Sequence, residues 1–146
     1  MTQLIVLAHA PLASSLASVA AHVFPDCAAT LQYLDVLPTD VPEDIERQVR
    51  ARLGDQQTLL LCDVFGATPC NAALRVADGV RVRVVSGVNV PMLWRVLCYA
   101  AEPLDRLVQR AVDGAVQGVM QVSSVRPQNQ SVPVVPHDHV PHHHQQ

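Results

Sequence analysis

Two hydrophobic periods take turns along the first 125 residues. Gln3 to Ala8 is an unbroken apolar run of strand length, after which Leu12, Leu16, Val19, Ala20 and Val23 recur at helical spacing until Pro25. Thr30 to Val36 half-alternates, as a strand does. A helix introduced by Asp40 and Pro42 carries Val41, Ile45, Val49 and Leu53 on one face. Its other face holds the pairs Glu43 with Arg47 and Glu46 with Arg50, and Gly54 is its expected C-terminal cap. Thr58 to Cys62 reads as a fully apolar third strand. Thr68-Pro69 starts a helix by the N-cap and first-turn preferences, and Asp78-Gly79 ends it. Val80 to Ser86 is the fourth strand. Helices follow from Pro91 to about Ala101 and from Pro103 to Gly118, the second with Leu104, Leu107, Val108, Ala111 and Val112 inward, and Val119 to Ser124 is expected as a closing strand.

Short strands without alternation, each followed by a helix, imply a parallel sheet covered on both faces. Right-handed crossovers leave few topologies for an α/β chain of this size. The expected one is a flavodoxin-like three-layer sandwich with strand order 2-1-3-4, whose ligand crevice lies above strands 1 and 3.

A length of 146 residues with 49% apolar and 16% charged positions fits one domain with a sizeable core. The apolar runs are too short to span a bilayer, so an integral membrane protein is not expected. A net charge of -3, ten basic residues that are all Arg, and only 3% aromatic residues argue against nucleic-acid binding. Cys27, Cys62, Cys70 and Cys98 form no CxxC, and Cys62 and Cys98 fall in apolar segments, as buried thiols do in a reducing compartment. The N-terminus has no basic region ahead of its apolar run, so no signal peptide is read and the cytoplasm is the expected location. From Arg126 the composition turns to Pro, Gln and His. Residues 126–146 are read as a disordered tail, whose histidines either hold a weak metal site or are simply solvated, and residues 1–125 as the domain.

Strand 1 delivers His9, and strand 3 delivers Asp63, at the carboxyl ends of neighbouring strands about 4.8 Å apart. A carboxylate that accepts one ring N–H fixes the histidine tautomer and leaves the other nitrogen as a nucleophile. The alternative is a polar pair that caps strand ends. After Asp63, the run Val64-Phe65-Gly66-Ala67-Thr68-Pro69 leads into a helix N-terminus, where free N–H groups and the dipole favour an oxyanion. Gly66 offers close backbone approach, and Thr68 offers a cap or a hydroxyl. Asn89, in the similar turn after strand 4, either donates to the same ligand or caps its helix. Neither GxGxxG nor GxxxxGK[ST] occurs. Cys62 and Asp63 point to opposite faces, which removes a metal hydrolase built on His9, Asp63, Cys62 and Cys70. His22 is expected on a helix surface and Trp94 in packing.

The strand ending in His9, the segment Asp63-Val-Phe-Gly-Ala-Thr-Pro-Cys-Asn71-Ala-Ala and the segment Gly87-Val-Asn-Val-Pro-Met-Leu93 together resemble the IIA component of the mannose family of the phosphoenolpyruvate-dependent sugar phosphotransferase system (PTS). The likeness spans roughly residues 1 to 125. It implies a phosphotransferase whose histidine takes a phosphoryl group from the carrier protein HPr and passes it to a IIB partner. It also implies a homodimer in which the final strand is exchanged and adds antiparallel to the neighbour's sheet. Carried over, His9 is the phosphorylated residue and Asp63 the carboxylate on Nδ1. Gly66, Ala67, Thr68 and Asn89 stand at the phosphoryl group, with no metal or other cofactor required. The family usually has Ser where Thr68 stands, a second Gly at Ala67, and Gly where Ala10-Pro11 follows the histidine. A response-regulator receiver shares the sheet order, but it needs an acidic pair after strand 1 and a Lys, and this chain has His9 there and no Lys. The remaining second reading is a regulatory module that docks to another protein according to phosphorylation state, without feeding a sugar transporter.

Overall fold

The computed structural model describes residues 1–124, so the tail from Arg126 lies outside the described residues. The elements run β1 (Gln3–His9), α1 (Leu12–Val23), α2 (Pro25–Ala28), β2 (Gln32–Val36), α3 (Pro42–Arg52), β3 (Thr58–Cys62), α4 (Thr68–Val76), β4 (Val82–Ser86), α5 (Val90–Cys98) and α6 (Leu104–Gln117). The four strands form one parallel sheet in the order β2-β1-β3-β4, as the pattern requires.

Strand alternation divides the core in two. Leu4, Val6 and Ala8 of β1 with Leu59 and Leu61 of β3 face α1, α5 and α6. Ile5 and Leu7 with Leu60 and Cys62 face α3 and α4. Leu59, Leu60 and Leu61 are fully buried, each worth about 1.5–3 kcal/mol of transfer free energy. That two-sided burial is why these strands read as plain apolar runs.

Several local expectations give way to tertiary context. α3 ends at Arg52, and Leu53 leaves it in an extended conformation (φ −70°, ψ 129°), so Gly54 is not the cap. Asp40 accepts from Leu37 N in the preceding turn, and Val41 is the residue before the helix. Arg47 pairs with Asp44 at 2.8 Å, because Glu43 reaches across to Arg75 of α4 at 3.4 Å, whereas Glu46 and Arg50 pair as expected at 2.9 Å. In α6 the buried stripe is Leu104, Leu107, Ala111 and Gly114, which turns Val112 outward. Cys98 is exposed, at the C-terminal end of α5, while Cys62 and Cys70 are buried. His22 is exposed on α1, and Trp94 meets Phe24 edge to face at 5.9 Å.

Residues 119–124 form no strand within this single chain. A strand needs a ladder partner for its N–H and C=O groups, and β4 forms the edge of the four-stranded sheet. Val119, Met120 and Val122 are exposed, and Val119 lines a largely apolar groove of about 530 Å³ with Met92, Val112, Ala115 and Val116, with Ser86 and Asn89 also in its wall. Among the described residues, no helix is long and apolar enough to cross a membrane.

Candidate functional site

The carboxyl ends of β1 and β3 bring His9 and Asp63 together, as neighbouring strands predict. Asp63 Oδ2 lies 2.6 Å from His9 Nδ1 and accepts the backbone N–H of His9 at 3.0 Å. Asp63 Oδ1 accepts from Val64 N at 2.9 Å. The His9 side chain is 52% exposed and that of Asp63 12%, so the carboxylate is shielded while the ring is open to a partner. Burial opposes ionisation of Asp63, but the bonds from the His9 ring, His9 N and Val64 N outweigh it and hold the carboxyl below its ordinary range. An ionised Asp63 accepts the Nδ1–H, and Nε2 is left with its lone pair outward.

The loop after Asp63 turns at Gly66 (φ 88°), a left-handed conformation that costs glycine little. Ala67 (φ −99°, ψ 169°) is the residue before α4 and offers no side-chain cap. Thr68 is therefore the first helical residue, and the expectation that its side chain caps α4 is corrected by one position. The first N–H groups of a helix have no intrahelical partner, and Pro69 has none to offer, so Thr68 and Cys70 supply those of this turn. Asn71 N closes the turn onto Ala67 O at 2.9 Å.

Gly87 (φ 84°) ties the β4–α5 turn to the site: its N–H donates to Asp63 O at 3.1 Å, and Val88 N donates to Cys62 O at 2.9 Å. Of the two roles open to Asn89, the cap is the one present. Its Oδ1 accepts from Met92 N at 2.9 Å and its Nδ2 donates to Ala115 O at 3.3 Å. That second bond ties the last turn of α6 to the start of α5.

One residue at this end of the sheet has no precedent in the pattern. Asp35, near the end of β2, accepts from Ser14 N at 2.9 Å and so caps α1, whose preceding residue is Pro11. The signal for it in the sequence is a carboxylate one residue before the end of a half-alternating strand. Among the described residues, no group of three or more His, Cys, Asp or Glu is placed to hold a metal ion.

The family model described as PTS system fructose IIA component matches residues 3–112. The chain belongs to this family of PTS IIA components. Solved structures share the IIA fold. The mannose/sorbose-specific IIA subunit from Enterococcus faecalis is 22% identical, with 86% of this chain and 98% of that one covered and a TM-score of 0.79. The component EIIA from Streptococcus agalactiae is 20% identical, covering 83% and 97%, with a TM-score of 0.76. A sigma-54 interaction domain protein from Enterococcus faecalis is 16% identical, covering 80% and 93%, with a TM-score of 0.64. No curated protein matches the sequence. PTS IIA components are in general phosphotransferases, and His9 with Asp63 lies within the matched residues of this one.

Proposed function

We propose that this IIA component is a phosphocarrier whose acceptor is His9 Nε2, charged from the phosphohistidine of HPr and discharged to a IIB partner. The observation that carries the reading is the doubly held histidine: one carboxylate oxygen engages both its Nδ1 and its backbone N–H while the ring stays open. The Nε2 lone pair attacks phosphorus in line, the nitrogen–phosphorus bond of the donor breaks, and the donor imidazole leaves with that electron pair. The positive charge that forms on the His9 ring is offset by Asp63. Thr68 and Cys70 N–H at the α4 terminus, with Gly66, Ala67 and the Thr68 hydroxyl, face the equatorial oxygens, and positioning supplies most of the rate. Val64 and Phe65, 50% and 75% exposed in the loop following Asp63, offer the apolar contact that a protein donor needs and a small-molecule substrate would not. No step requires a metal or cofactor.

In the same reading the protein is a cytoplasmic homodimer. Residues 119–124 of each chain add antiparallel to the open β4 edge of the other, and the apolar groove beside α6 is covered.

The test is mass spectrometry after incubation with phosphoenolpyruvate, enzyme I and HPr. One acid-labile phosphoryl group on His9, absent from His9→Gln, supports the proposal. No mass gain where a control IIA protein gains it would turn the reading to a regulatory module that acts by docking. The likeness to the sigma-54 interaction domain protein keeps that second reading in view.

A further inference from the structure

Two helices begin beside His9, and their first turns are treated differently. α4 has no side-chain cap, whereas the start of α1 is held by Asp35 through Ser14 N at 2.9 Å. The β1–β2 register sets Asp35 beside Ala8 and Val36 beside His9. Val36 O in turn accepts from Ala10 N at 2.9 Å. Two consecutive residues of β2 thus hold the backbone that leaves His9, one through a carbonyl and one through a side chain. Pro11 and Leu12 are bracketed between these ties. Asp63 fixes His9 from the β3 side only, so without Asp35 the path from His9 into α1 would keep a single tie on the β2 side.

Resting on the His9 reading above, we propose that Asp35 is a positioning residue for phosphoryl transfer. It acts through the Ser14 bond to hold the segment after the acceptor, and with it the direction in which the imidazole presents Nε2.

The test compares wild type, Asp35→Ala and Asp35→Asn, the last keeping an amide oxygen that accepts the Ser14 bond. With HPr as donor, Asp35→Ala is expected to slow His9 phosphorylation at saturating donor about 10-fold with an unchanged half-saturating concentration, and Asp35→Asn to recover most of the rate. Ser14→Pro removes the donor instead, from a first-turn position that tolerates proline, and is expected to slow transfer by the same factor. The nitrogen resonances of the His9 ring, read without any donor, are expected to move in Asp35→Ala and to return in Asp35→Asn. An Asp35→Ala rate within about twofold of wild type overturns the proposal, as does an unmoved His9 ring, or an Asp35→Asn that behaves as Asp35→Ala. If wild type takes no phosphoryl group at all, the phosphocarrier reading falls, and the ring resonances still decide whether Asp35 positions His9.

Discussion

A single oxygen of Asp63 meets both the backbone N–H and the ring Nδ1 of His9, at 3.0 and 2.6 Å. The same contact therefore anchors the end of β1 and selects the tautomer. Asp63→Ala removes both effects, and phosphorylation of His9 from HPr is expected to fall about 100-fold. Rapid-quench kinetics would measure it, and a rate within a few-fold of wild type would deny Asp63 that role.

The lowered pKa of Asp63 links this contact to acid stability. Its folded value lies below its unfolded value of about 3.9, so its stabilisation is full above that pH and is lost as the pH falls through the folded value. The stability difference between wild type and Asp63→Asn should then shrink as the pH is lowered below about 4. Urea unfolding across that range checks it; a difference that grows on acidification would contradict the sign.

Much of this was legible in the sequence, and the exceptions share a cause. β1 and β3 announce themselves because burial on both faces leaves no polar position in Leu4 to Ala8 or Leu59 to Cys62. Strand order alone then brings His9 to Asp63. The Asp35 bond to Ser14 joins residues 21 apart in sequence, and no local pattern encodes it. Gly54 and Thr68 were misplaced because helix ends depend on a residue's neighbours: Leu53 leaves α3 without a positive φ, and Ala67 occupies the position before α4. Residues 119–124, the expected closing strand, make no ladder within the single described chain. An apolar run becomes a strand only where a neighbouring strand takes up its N–H and C=O groups, which its own sequence does not encode.

Thiol reactivity follows burial. Burial pushes the Cys62 thiol up, the adjacent Cys70 adds to the effect, and both residues are inaccessible, whereas Cys27 and Cys98 are exposed. In the folded protein at mildly alkaline pH, iodoacetamide should label Cys27 and Cys98 and spare Cys62 and Cys70 until denaturant is added. Peptide mapping would show it, and early modification of Cys62 would refute it.

Helix α6 lies against α5 through two glycines. A Cβ on Gly114 would stand 2.9 Å from Arg95 Cβ, and one on Gly118 would clash with the Pro91 ring. Gly118→Ala is expected to cost about 1–3 kcal/mol by overpacking. Thermal unfolding would report it, and an unchanged midpoint would mean that the α6 terminus shifts freely.

β1 is an interior strand, bonded to β2 on one side and β3 on the other. Opening it requires both ladders to break, so its amides belong to the class that exchanges with solvent only on global unfolding. His9 stands at the end of the least yielding part of the molecule, whereas Val64 and Phe65 ride on a loop. In the proposed relay the acceptor is thereby kept stationary, and adaptation to each partner falls to the loop around it.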